Sequence, residues 1–407
     1  MELNKTNISN QINIIRGFDK FLLYLLFIVL SFAAVLHKLF PIMIIEASLF
    51  NILIPYSITV FIFMKNIHKM NNNDIIQILL SLAAGLIIIL TRTIFYEERL
   101  YSLIQSDVYI FFIPVTFIIF KNITISKREL KLFRNIILFV LCVNLINSLL
   151  FSINGIFFES VSYTTTEYVD NSRFNGLFGG ANISSNVLLI IVLIYLFTSN
   201  KFNVIRTLLF SIILLVTILP NLSRGPIFIF FLSLAIYLFI NLKSKSINIF
   251  YIILFILLLL ILGSYIITSI YFTNTFESFS ERTEELDGEE GRLNRFLFTV
   301  NLMYENFSTF FIGIKGKNQL KSELFTISDN SLTLLLANLG IFFTIYFINL
   351  ISKFINTFKS IEKNKLIYTI AIITISLINN SLLWTVWVFI AILGYKLIST
   401  SEELNKI

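Results

Sequence analysis

The chain has 407 residues, 57% of them hydrophobic and only 14% charged, with a mean hydropathy of +0.85 and a net charge of +7. Apolar runs near twenty residues long recur along it, which excludes an ordinary soluble domain or a disordered chain and points to an integral membrane bundle. The single cysteine, Cys142, falls inside such a run, leaving neither a disulfide framework nor a thiol metal cluster.

In chain order, the hydropathy pattern predicts membrane helices over roughly 21–40, 42–64, 75–94, 101–120, 135–157, 183–199, 204–220, 226–242, 247–272 and 331–352. The first run has no small-residue cleavage site behind it and reads as a retained helix rather than a signal peptide. Little more than Pro41 separates it from the second run. The last apolar block, 366–398, is too long for one helix and carries Asn379-Asn380-Ser381 near its middle, so it reads as a hairpin of two shorter spans. The expectation is an all-α polytopic bundle of about twelve spans, one integral membrane domain over 1–407.

Two polar intervals interrupt the apolar pattern. The first, 158–182, ends in Ser172-Arg173-Phe174-Asn175-Gly176-Leu177-Phe178-Gly179-Gly180, where glycines permit tight turns and Arg173 supplies charge. The second, 273–330, opens with the acids Glu277, Glu281, Glu284, Glu285, Asp287, Glu289 and Glu290, and then turns at Gly291 into Arg292-Leu293-Asn294-Arg295. Leu293, Phe296, Leu297, Val300, Met303, Tyr304 and Phe307 recur there at helical spacing, predicting an amphipathic helix with Arg292, Arg295 and Thr299 on its polar face. A third, very short turn, Pro220-Asn221-Leu222-Ser223-Arg224-Gly225-Pro226, holds an arginine close to the apolar boundary; Pro226 suits the first turn of the next helix.

With both termini placed in the cytoplasm, the short connections near 65–74, 121–134, 200–206, 243–245 and 353–365 are basic, as orientation by positive loops requires. The basic residues on that side are mostly lysine. On the other side arginine dominates, with Arg92, Arg99, Arg173, Arg224, Arg282, Arg292 and Arg295. A planar guanidinium binds phosphate in a bidentate way where an ammonium is a solvated point charge, so the outward arginines ask for an anionic ligand. Arg282, inside the Glu-rich run, and Arg99, beside Glu97 and Glu98, read instead as ion-paired.

Together, Arg173-x-x-Gly176-x-Phe178, Ser223-Arg224-Gly225 leading into a helix, Arg292-x-x-Arg295 followed by Gly313, and Asp329-Asn330-Ser331 with Gly340 resemble the O-antigen polymerase and O-antigen ligase family over roughly 165–355. The resemblance implies a glycosyltransferase at the outer face of the bacterial inner membrane. It would be a polysaccharide polymerase moving a polyprenyl-diphosphate-linked glycan onto a lipid-linked repeat unit of O-antigen, capsule or exopolysaccharide. It implies Arg224, Arg292 and Asp329 as catalytic residues and Arg173, Arg295 and Asn330 as substrate-binding. Its implied partners are lipid-linked oligosaccharides, membrane lipid, a chain-length regulator and a flippase, with no cofactor beyond the polyprenyl diphosphate carrier and no nucleic acid; the acidic run could attract a cation, but its spacing matches no metal-ligand set, and metal dependence stays open.

Ligases of the family carry a histidine just before the Asn-Ser where this chain has Asp329, and neither His37 nor His68 matches it, which favours the polymerase. Asp329 also suits a helix N-cap, and the two roles are compatible. Two other classes fit less well. A lipid-linked sugar flippase calls for charges deep in several spans and an internal repeat, neither evident here. A glycosyltransferase with acids in its first outer loop conflicts with the short separation at Pro41.

Overall fold

The computed structural model describes residues 18–39, 43–44, 47–48, 54–96, 108–154, 176–178, 181–199, 203–218, 224–243, 331–356, 363–378 and 385–404, with Asn301, Tyr304 and Phe311 as isolated helical positions. These residues form a helical bundle. Its helices are α1 (Phe18–Ser31), α2 (Ala33–Leu39), α3 (Ile54–Asn66), α4 (Asn72–Tyr96), α5 (Val108–Lys121), α6 (Lys127–Asn154), α7 (Ala181–Phe197), α8 (Val204–Ile218), α9 (Arg224–Lys243), α10 (Ser331–Asn356), α11 (Lys363–Ile378) and α12 (Thr385–Leu404). One helix among the described residues, over Lys127–Leu150, is long and apolar enough to cross a membrane, and shorter apolar helices surround it.

Helix starts follow local chemistry. Ser126 and Glu129 form a reciprocal capping box on α6: the Ser126 amide donates to Glu129 Oε2 at 2.6 Å and the Glu129 amide to Ser126 Oγ at 3.3 Å. Asn203 Oδ1 accepts from the Arg206 amide at 3.0 Å and so caps α8. Pro226 sits in the first turn of α9, where its missing amide costs nothing. Gly340 breaks α10 with φ 69° and ψ 175°, a conformation that only glycine adopts without strain.

The predicted hairpin at 379–381 is present as α11 and α12. The predicted second span differs. Met43–Ile44 and Ala47–Ser48 form a two-residue antiparallel ladder, pairing Met43 with Ser48 and Ile44 with Ala47, and α3 begins only at Ile54. The first two predicted spans, represented by α1–α2 and α3, are therefore separated by more than Pro41, and their short separation no longer argues against a transferase with an acidic first loop. The predicted span over 247–272 lies outside the described residues; of the predicted amphipathic helix only Asn301 and Tyr304 are described, both helical and exposed, and beyond it Phe311 stacks on Phe342 of α10 with ring centroids 5.1 Å apart.

At the centre run α7 and α12, parallel to each other and buried on every side; Ile183 through Ile194 and Trp387 through Tyr395 are buried without a break. Apart from Ser184, Ser185 and Asn186 both stretches are apolar all round, the pattern of interior helices. At Gly394 the approach is close enough that a β-carbon would overlap Tyr368 Oη and the Ile194 side chain.

Polar contacts at one end of the bundle fix the direction of the helices. Lys20 at the start of α1 meets Glu129 at the start of α6 at 2.8 Å, and Lys121 at the end of α5 meets Asp74 at the start of α4 at 2.7 Å. Lys365 at the start of α11 meets Glu402 at the end of α12 at 3.4 Å; Ser401 Oγ donates to Thr198 O at 3.1 Å, just past α7. Arg206 at the start of α8 donates to Ser199 Oγ at 2.7 Å, and Arg134 lies over the Tyr195 ring. At this end α1, α4, α6, α8 and α11 start, and α5, α7 and α12 finish. This basic end gathers Lys20, Lys121, Arg134, Arg206, Lys365 and Lys396. Between the ends, exposed apolar side chains such as Leu79, Leu86, Ile87, Leu90, Phe139 and Ile146 cover the outside.

Candidate functional site

These directions fix the opposite end as well. Since α7 and α8 finish and start at the basic end, α7 starts, α8 finishes and α9 starts at the other. That end therefore holds the backbone of Arg224, first residue of α9, and the turn Gly176–Phe178 ahead of α7. The link between α10 and α11 is six residues, too short to run back along the part of α10 that follows Gly340, so α10 finishes at the basic end.

The Gly176–Phe178 turn is built to stay in place. Gly176 has φ 62°, in the left-handed region that favours glycine. Leu177 and Phe178 are buried, and the Phe178 amide donates to Ser184 Oγ at 3.4 Å. Arg173, Arg292, Arg295, Asp329 and Asn330 lie outside the described residues, as does the side chain of Arg224. Among the described residues no three His, Cys, Asp or Glu side chains are grouped to hold a metal ion.

Below this end lies a layer of uncharged polar groups that the sequence reading did not single out. Carrying the Arg134–Tyr195 contact along the antiparallel pair α6 and α7 brings Asn144 level with Ser185 and Asn186. Carrying the Ser401–Thr198 contact along the parallel pair α12 and α7 brings Trp387 to the same level within a turn. At 1.5 Å per residue this level is about 6 Å inward from the start of α7.

Asn144, Asn186 and Trp387 are all at most 1% exposed, yet Asn144 Oδ1, Asn186 Oδ1 and Trp387 Nε1 have no hydrogen-bond partner among the described residues. Each amide nitrogen is used by its own helix: Asn144 Nδ2 donates to Val140 O and Asn186 Nδ2 to Asn182 O. Two acceptors and one donor are thus left at one depth, a set suited to hydroxyl groups or water. The signal in the sequence was asparagine inside apolar runs, where a polar side chain is expensive.

No family model matches the chain, and no curated protein matches it.

Proposed function

We propose that the chain is a multi-pass protein of the bacterial inner membrane that polymerises lipid-linked oligosaccharide repeats at the outer face. The exposed apolar belt supports the membrane setting, because a soluble protein rarely leaves so many large apolar side chains in water. The lysine-rich end would face the cytoplasm.

The observation that carries the enzymatic reading is that Arg224 opens α9 at the end opposite the basic one. In sequence, Arg173 stands three residues ahead of the Gly176–Phe178 turn and Asn330 one residue ahead of α10. In the proposed reaction an acceptor sugar hydroxyl attacks the anomeric carbon of the donor. The bond to the diphosphate breaks, Asp329 takes the hydroxyl proton, and polyprenyl diphosphate leaves. Arg224 and Arg292 stabilise the charge that develops on the leaving group, with Arg173, Arg295 and Asn330 holding substrate.

The test is a glycan gel from cells carrying Arg224→Ala or, separately, Arg292→Ala. Loss of the polymer ladder with single-repeat product retained, and protein still in the membrane, is the expected result; normal ladders from both would remove the diphosphate-clamp mechanism. The feature nearest to what a flippase needs is the Lys365–Glu402 pair, 3% and 5% exposed by side chain, although it lies at the basic end and not deep in the bundle. Reconstitution with lipid-linked repeats already on the catalytic side separates the two, since elongation with no other protein present excludes a pure flippase.

A further inference from the structure

The start of α6 carries an imbalance of charge. Its capping box and Lys20 occupy Glu129 completely: the carboxylate accepts from the Ser126 amide at 2.6 Å and from Lys20 Nζ at 2.8 and 3.0 Å. Glu129, the one acid in the first two turns, is therefore turned inward. Lys127, Arg128 and Lys131 are exposed, and among the described residues their side chains make no ion pair or hydrogen bond. The helix dipole adds to their positive field rather than offsetting it.

Directly along the same exposed stripe the chemistry changes. Leu132, Leu138 and Phe139 are exposed, and Phe139 lies against Phe32 at the end of α1, ring centroids 6.2 Å apart. From Lys131 to Leu138 is about 10 Å along the helix axis. Three uncompensated cations thus stand at the rim of an apolar wall.

We propose that this rim is a docking surface for an anionic phospholipid of the cytoplasmic leaflet. Arg128 offers a planar fork to the headgroup phosphate, Lys127 and Lys131 close around it, and an acyl chain lies along Leu132, Leu138 and Phe139. A soluble anion or a nucleic acid would use the cations and leave the apolar stripe bare; an acidic lipid uses both. The inference rests on the membrane setting proposed above and not on the transferase activity.

The experiment uses full-length protein in mild detergent, titrated with phosphatidylglycerol or phosphatidylcholine while bound lipids are counted by native mass spectrometry. Wild type retains phosphatidylglycerol preferentially. Arg128→Gln/Lys131→Gln weakens that retention by about thirtyfold, Lys65→Gln in the last turn of α3 leaves it unchanged, and raised salt weakens it in the wild type. Equal retention of the two lipids by wild type, or undiminished phosphatidylglycerol retention in a double variant whose melting is unchanged, overturns the proposal. Should the double variant fold poorly, the salt series on wild type decides: retention indifferent to salt overturns it. An alkaline wash of membranes separates the two levels. A chain that is released loses the membrane setting and this inference together, whereas a retained chain with no lipid preference loses only this inference.

Discussion

Gly394→Ala is the sharpest test of the packing at the centre of the bundle. The added methyl would overlap Tyr368 Oη on α11 and Ile194 on α7, both buried at 1% exposure or less, so neither side chain can swing into open space. Tyr368 Oη is also committed, donating to Ala391 O at 3.1 Å. Alanine is the better helix former by about 1 kcal/mol. Against that gain stand overpacking of about 1–3 kcal/mol and displacement of a buried hydroxyl from its acceptor, about 1–3 kcal/mol more. The net expectation is a loss of about 2 kcal/mol, read as a lowered melting temperature of the full chain in detergent.

The cause is isolated by adding Tyr368→Phe, which removes one of the overlapping atoms. Alone it costs about 1 kcal/mol, but it makes the Gly394→Ala change cheaper, giving a favourable coupling of about 1 kcal/mol. Ile194→Val, trimming the other overlapping side chain, lowers the cost further. A Gly394→Ala protein as stable as wild type, or a cycle with no coupling, refutes the close approach of the three helices.

Breaking the buried ion pair should be costly while replacing it should not. Lys365→Met leaves Glu402 in the interior without its cation and lowers stability by about 3 kcal/mol, whereas Lys365→Met/Glu402→Leu recovers most of the loss; equal melting of the single variant and wild type defeats this account. Glu129, ahead of the apolar part of α6, gives a pH signature. Burial pushes its carboxyl upward, but the hydrogen bond from Lys20 and those from Ser126 outweigh burial and hold it below the ordinary 4.5. A lowered folded-state value means the stabilisation is present above the ordinary value and is lost as pH falls through the lowered one. Glu129→Gln should therefore melt earlier than wild type at neutral pH and converge with it in acid; parallel curves would contradict the assignment. For Asp329, asparagine preserves capping ability but cannot take a proton, so Asp329→Asn should keep wild-type melting and lose the polymer ladder. A normal ladder would leave Asp329 with a capping role alone.

The helices were legible from hydropathy because a segment in an apolar medium must satisfy its backbone within itself, so a long apolar run specifies a helix whatever surrounds it. That is why the two-helix hairpin around Asn379-Asn380-Ser381 and the helices at 75–94 and 135–157 could be drawn from composition and punctuation. The same rule misled at 42–53. Ile42, Met43, Ile44 and Ile45 are as apolar as any span, yet Met43–Ile44 pairs with Ala47–Ser48 instead, and a run that short does not distinguish strand from helix.

Of the site, glycine and arginine patterns marked which segments hold the candidate residues, and Gly176 and Gly340 do adopt backbone that other residues avoid. What the order of residues could not supply was partnership across the bundle. Lys20 and Glu129 lie 109 positions apart, and nothing local to either names the other. The depth shared by Asn144, Asn186 and Trp387 likewise follows only from how α6, α7 and α12 slide against one another. Hydropathy sets which residues leave water, but the register and facing of packed helices are fixed by side-chain shape at contacts remote in the chain, as at Gly394, and only the folded bundle decides them.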